Sequence, residues 1–290
     1  MKQMDRPALD GIELEYEVQG TGEPVVLVHA GVCADFFNPL LKEPALTARY
    51  RLLTYHRVGY AGSSHLVGAV SIAQQAAHCR SLMRHLGIER AHVVGHSASA
   101  MMALQLALDA PGAVHTLALL DAARPAPPSE VQMKFTKAVV QPALQRYGAG
   151  DKAGAVDAWM QGVCGPNYRA VLDQALPSAF NHAVVDAETF FGQELPAVQQ
   201  WTFTQEDARR ITQPVLAVLG AESCPTFRER QELLLAWLPN VESFVLPNAT
   251  HLLHVQNPRG MAEGLAAFFA RHPLSRTNQE QEPGRTCGIY

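Results

Sequence analysis

The chain has 290 residues, 48% apolar, 17% charged and 7% aromatic, with a formal net charge of -4, which describes a packed globular protein with a large core, near the size at which additions become caps or second domains. Its 23 Lys and Arg are scattered, which argues against a nucleic-acid or anionic-membrane partner, since both need clustered cations. The polar first ten residues, and the lack of any apolar run near the roughly 20 residues that span a bilayer, predict a cytoplasmic protein without a membrane segment.

From residue 12 onward, short apolar runs alternate with amphipathic stretches. The runs 12–18 and 25–29, split by Gly20-Thr21-Gly22, predict a hairpin entering the core. A helix is predicted over 36–47, a strand over 51–55, a helix over 72–86 stopped by Gly87, and a strand over 91–94. A small-residue helix over 98–109, stopped by Pro111, leads to a strand over 114–120. Strands separated by helices predict right-handed crossovers and a mostly parallel sheet.

The rhythm breaks at Arg124-Pro125-Ala126-Pro127-Pro128. From there to residue 210 the periodicity is helical only, with Gly and Pro punctuation at 148–150, 165–166 and 177, which predicts an all-helical cap. The sheet resumes with a strand over 214–219, a helix over 227–238, a strand over 241–246 and a last helix over 258–270. The expected organisation is a core of residues 10–124 and 211–272, a cap of 125–210, and a polar tail of 273–290 without stable structure. The five cysteines are far apart with no C-x-x-C pair, so reduced thiols are expected rather than disulfides or a zinc knuckle.

Chemistry concentrates at Val93-Val94-Gly95-His96-Ser97-Ala98-Ser99, where an apolar strand turns sharply into a helix through a serine. Such a turn forces strained dihedrals on the serine and demands small residues two before and two after it, here Gly95 and Ser99, and it makes Ser97 a candidate nucleophile. A serine that merely caps the next helix is the plainer reading. His29-Ala30-Gly31 closes an early strand. Its backbone N–H groups, with Gly31 preferred over Ala30, and that of Ala98 are candidate oxyanion donors; a simple turn with a structural histidine is the alternative. Pro247-Asn248-Ala249-Thr250-His251 is a loop before the last helix, and places His251 as general base. The pair His251 and His254 has metal-like spacing but lacks the acid and thiol ligands that would complete a site, so no metal is expected.

These motifs, with Tyr55-His56-Arg57-Val58-Gly59-Tyr60-Ala61-Gly62-Ser63-Ser64 after the fourth strand, resemble the α/β-hydrolase superfamily over residues 10–272. The resemblance implies an α/β-hydrolase fold, a mostly parallel central sheet flanked by helices, with a cap inserted after the sixth strand. In the commoner family pattern the strand at 214–219 is followed by G-x-x-D; here Gly220-Ala221-Glu222-Ser223 puts Ser223 where the aspartate would stand. Other members carry the acid at the end of the strand before the cap, and there this chain has Asp121. Asp121 is the preferred triad acid and Glu222 the alternative, because a carboxylate closing an apolar strand is easily buried beside the histidine.

The implied activity is cofactor-free hydrolysis of an ester, lactone or related activated acyl compound by Ser97, His251 and Asp121. Carbon–carbon bond hydrolysis, perhydrolysis, and a slow-turnover receptor for small molecules are the alternatives on the same scaffold. Cap aromatics Phe135, Trp159, Phe180, Phe190, Phe191, Trp201 and Phe203 suit an apolar small-molecule substrate, although residues at helical spacing more often form the cap's own core.

Overall fold

The structure, a computed structural model, describes residues 4–123 and 129–274. The break read at 124–128 and the tail from residue 275 lie outside the described residues. Among the described residues nine strands form: a ribbon of β1 (Ala8–Leu9) and β2 (Ile12–Glu13), and a sheet of β3 (Tyr16–Gln19), β4 (Glu23–Val28), β5 (Tyr50–Tyr55), β6 (Ala91–His96), β7 (Val114–Leu120), β8 (Val215–Gly220) and β9 (Val241–Leu246). The sheet order is β3-β5-β4-β6-β7-β8-β9, and only β3 runs antiparallel to its neighbour. If the ribbon counts as one strand, β7 is the sixth, and the helices of 130–210 follow it.

The interior parallel strands are largely apolar on both sides because both faces are covered, whereas the edge strand β9 is only partly buried. In β4, Val26 and Val28 join a cluster with the helices Ile72–His85, Ala98–Asp109 and Pro225–Trp237, while Val25 and Leu27 join one with the helix Pro258–Arg271. Helix Ile72–His85 starts on a capping box of Ser71 and Gln74, which satisfies backbone donors that the first turn leaves open. No helix among the described residues is long and apolar enough to cross a membrane.

Two predicted elements differ. The first two runs do not form a hairpin: β3 pairs with β5, from Tyr16↔Tyr55 to Gln19↔Leu52, and β5 lies between β3 and β4. Leu52 and Leu53 of β5 are fully buried, whereas β3 is half-buried throughout, so burial gives β5 the interior position and β3 the edge. The predicted helix over 36–47 is instead a 3-10 turn, Leu40–Lys42, and a single helical turn, Pro44–Thr47. Pro39 and Pro44 lack the N–H that a continuous helix needs.

All elements between 130 and 210 are helices. Two of them contain wide π turns, Thr136–Val140 and Glu188–Glu194, each leading directly into a helical turn that carries a proline, Pro142 or Pro196. A proline inside a continuing helix removes one hydrogen bond and crowds the carbonyl four residues back; widening the turn relieves both. Cap residues Val156, Met160, Phe190 and Phe191 share an apolar cluster with Ala30, Phe36, Phe227 and Leu252 of the core, so cap and core are packed together. Trp201 and Phe203 do not belong to the cap's interior. They stack on each other 5.4 Å apart and join the sheet core, where Trp201 Nε1 donates to Gln105 Oε1 at 2.7 Å.

A cavity of about 740 Å³ opens at the cap–core seam, with Glu15, Asp35 and His56 of the core and His182 and Asp186 of the cap in its walls. His56 bridges two carboxylates, Nδ1 to Glu15 Oε2 at 2.9 Å and Nε2 to Asp35 Oδ1 at 3.3 Å. Burial alone would depress the His56 pKa, but the hydrogen bonds and charges of Asp35 and Glu15 outweigh it and raise it, while both carboxyls are held below their usual range. A raised histidine pKa contributes stability below the ordinary histidine range and loses it as pH climbs through the folded value; depressed carboxyl values contribute above the ordinary carboxylate range and lose it as pH falls. The stability gap between the parent and His56→Gln, read by urea unfolding from about pH 5 to about pH 9, should therefore be widest on the acid side and narrow as pH rises. A gap that widens with pH contradicts this reading.

Candidate active site

Strand β6 ends at His96, and the chain turns into helix Ala98–Asp109 through Ser97, whose φ of 58° and ψ of -120° lie outside the regions open to most side chains. The turn brings backbone so close that a Cβ on Gly95 would stand 2.5 Å from the Ser99 carbonyl oxygen. Ser97 is pinned on both sides: its N–H donates to the Leu120 carbonyl at 2.9 Å, and its carbonyl accepts from Ala123 N–H at 3.0 Å. Ser99 stands where the motif usually has glycine. Its buried hydroxyl accepts from His96 N–H at 2.8 Å and reaches the Val28 carbonyl at 2.5 Å, tying the turn to the end of β4.

Asp121 follows β7 at a positive φ of 39° and is 1% exposed. A buried carboxylate needs compensation on every face, and this one has it. Oδ1 accepts from Gly220 N–H at 3.1 Å, and Oδ2 from the Ser223 hydroxyl at 2.5 Å and from His251 Nδ1 at 3.0 Å. The structure thus brings Asp121 to His251, while Glu222 is exposed on its loop with its backbone N–H on the Ala249 carbonyl at 2.9 Å. With Nδ1–H donating to Asp121, Nε2 of His251 is the nitrogen left to act as a base. The ring is held flat against Phe227, 4.1 Å away at 11°, and its other neighbour is the ring of His96, at 4.7 Å, next to Ser97 in the chain. His254 is buried and stacked on Phe37 at 4.5 Å, and burial pushes its pKa down to about 3.

The loop after β4 carries Gly31. A side chain at this position would collide with the Phe190 ring at 2.5 Å and with Glu194 Oε1 at 2.9 Å, both from the second π turn of the cap. Behind the loop lies Arg57, fully buried. Its backbone N–H donates to His29 Nε2 at 3.0 Å, its Nε to the His29 carbonyl at 3.2 Å and its Nη2 to the Ala30 carbonyl at 3.2 Å. Because His29 Nε2 accepts, its Nδ1 carries the proton and donates to the Ala30 carbonyl at 2.6 Å. The ring is neutral, its pKa pushed well down by burial and by the Arg57 charge. Arg57 Nη2 also meets Glu194 Oε2 at 2.9 Å, and the Tyr60 hydroxyl donates to the same oxygen at 2.5 Å.

Aromatic rings run from the loop that carries Gly31 to His251. Phe190 covers Gly31; Trp159 lies 4.9 Å from Phe190, Phe135 6.3 Å from Trp159, and Phe227 6.4 Å from Phe135 before the stack on His251. Sequence reasoning missed Ser223 as the donor to Asp121, Phe227 as the plate beneath His251, and the trio Arg57, Tyr60 and Glu194. Ser223 was visible only as a departure from a motif. Arg57 and Tyr60 lay inside a recognised loop without assigned roles, and Pro196 was the one local signal that residues 188–194 are displaced from regular helix.

The sequence profile of the Alpha/beta hydrolase family matches residues 25–264. A dihydrolipoyllysine-residue acetyltransferase component of an acetoin cleaving system from Cupriavidus necator is 37% identical over 112 residues, 39% of this chain and 30% of that protein. The match spans under half the length of that relative and of a putative carbamate hydrolase RutD from Azorhizobium caulinodans, 33% identical over 110 residues, 38% of this chain and 41% of that protein. Among solved structures, the enol-lactonase from Burkholderia xenovorans LB400 superposes with a TM-score of 0.79 over 92% of this chain and 100% of that one, at 19% identity, which bears on the fold alone. With the profile covering well over half of its length, the chain belongs to the Alpha/beta hydrolase family.

Proposed function

We propose that this chain is a serine hydrolase that cleaves an ester, lactone or related activated acyl compound of small, largely apolar character. The observation that carries the proposal is the buried Asp121–His251 contact of 3.0 Å beside a serine held at positive φ. A stability role alone gives no reason to bury a carboxylate against a histidine at the end of a sheet next to a strained serine.

In the first step Ser97 Oγ attacks the acyl carbon and its proton passes to His251 Nε2, while Asp121 stabilises the imidazolium. The oxyanion takes hydrogen bonds from the N–H groups of Ala98 and Gly31. Collapse breaks the bond to the leaving oxygen, which takes the proton from His251 and leaves an acyl-Ser97. Water then attacks that carbon with His251 again as base, releasing the acid and restoring the serine. The names of the similar proteins, an enol-lactonase and a putative carbamate hydrolase, fit this class. The aromatic run from Phe190 to Phe227 supports an apolar substrate.

A panel of p-nitrophenyl esters, lactones and diketones, assayed with the parent and three variants, tests the proposal. Ser97→Ala should lose about a thousand-fold or more in kcat/KM with the fold intact, and Asp121→Asn a similar factor through loss of the correct histidine tautomer. Glu222→Gln should stay close to the parent. Turnover of esters that survives in a folded Ser97→Ala protein refutes the mechanism, and a larger loss in Glu222→Gln than in Asp121→Asn refutes the acid. Ser223→Ala removes one donor from a buried carboxylate and should cost about 1–3 kcal/mol of stability, measured by urea unfolding. A Ser223→Ala protein as stable as the parent would mean that this hydroxyl does not support Asp121.

A further inference from the structure

We propose that Glu194 is a positioning residue for the oxyanion hole: from the cap, through Arg57 and Tyr60, it fixes the peptide that supplies the Gly31 N–H, so the hole is complete only when the cap is docked. The proposal rests on the reading of Gly31 as an oxyanion donor.

The Ala30 carbonyl and the Gly31 N–H belong to the same planar trans peptide and point in opposite directions. The carbonyl is held by His29 Nδ1 at 2.6 Å and by Arg57 Nη2 at 3.2 Å. Those two bonds hold the Gly31 N–H turned away from Arg57. Rotation of that peptide would replace the N–H donor with a carbonyl oxygen, which repels an oxyanion. The next residue is constrained too: Val32 sits at a φ of 73° beside Tyr60.

Arg57 keeps this grip only while its charge is compensated. Its side chain is 0% exposed, and the carboxylate in ion-pair contact with it is Glu194, itself 4% exposed. Removing one partner of a buried ion pair leaves a charge without solvent or counter-ion, and a long guanidinium side chain then turns away from its carbonyls to find water. Glu194 thus reaches the hole through Arg57 and the His29 and Ala30 carbonyls, and through Tyr60 and Val32. It comes from the π turn Glu188–Glu194 ahead of Pro196, so an undocked cap would take the carboxylate with it. The coupling follows from the location of Glu194: the core supplies the cation and the loop, the cap the anion.

The experiment compares parent, Glu194→Gln and Tyr60→Phe for kcat and KM on a reactive ester, for inhibition by a trifluoromethyl ketone, and for melting temperature. The serine adduct of the ketone places an oxyanion in the hole, whereas ground-state binding of the ester does not require one. Both variants should lose roughly 10- to 100-fold in kcat, below the full loss of a hole donor, with KM within about threefold of the parent. The ketone Ki should rise in proportion to the loss in kcat/KM. A variant that melts lower but keeps kcat and the ketone Ki within about twofold of the parent overturns the proposal. So does a loss confined to KM. If Glu194→Gln does not fold, Glu194→Asp, which keeps the charge but draws the carboxylate back from Arg57 and Tyr60, decides by the same criteria. Failure of the underlying mechanism is recognised separately, because a parent without Ser97-dependent turnover reveals it before any cap residue is changed.

Discussion

The structure depends on one backbone conformation, the positive φ of Ser97 between β6 and helix Ala98–Asp109. A non-glycine residue held there costs of order 1–3 kcal/mol, and the surroundings must over-determine it. They do so in three ways. Gly95 has no Cβ to keep the returning helix away, the Ser97 N–H and carbonyl are engaged by Leu120 and Ala123, and the Ser99 hydroxyl joins the turn to β4. The last of these makes the departure from the glycine-ended motif a gain rather than a defect. A glycine at 99 would relieve crowding but lose the tie to Val28.

Around that turn, placement follows from how buried charge is compensated. Asp121 is buried because three donors make burial tolerable: the Gly220 N–H, the Ser223 hydroxyl and His251 Nδ1. Arg57 is buried because Glu194, Ala30 and His29 do the same for a cation. Each network joins segments far apart in the chain, β7 to the loop after β9 in one case and the loop after β5 to the cap in the other. Partly satisfied networks of this kind are costly, so these contacts specify position as well as strength. The histidine and the loop that carries Gly31 are thus fixed at opposite ends of the aromatic run, one by a hydrogen bond to a buried carboxylate and the other by a buried ion pair.

Local signals carried much of this into the sequence. The strands of the sheet were legible because burial on both faces makes uninterrupted apolar runs, and Ser97 because strand, small residues and helix occur in one short segment. Asp121 was legible as an acid closing such a strand. The order of β3, β5 and β4 was not, since both runs flanking Gly20 and Gly22 suit a hairpin, and only the competition for the interior of the sheet decides between them. Glu194 was not legible either. Nothing local marks a glutamate in a helical segment as the counter-ion of an arginine 137 positions away, and the widening of its turn by Pro196 changes which face it presents. Ser223 was read as the loss of an aspartate, when its hydroxyl donates to the aspartate that follows the neighbouring strand.

If Ser97 is a nucleophile activated by the geometry around it, covalent labelling will find it. The protein is treated with one equivalent of a fluorophosphonate, digested, and its peptides are weighed. Addition should be complete and confined to the peptide containing Ser97, and absent in protein unfolded beforehand, since an isolated serine does not react at this rate. Addition on another residue, or a folded protein that stays unmodified, would contradict it.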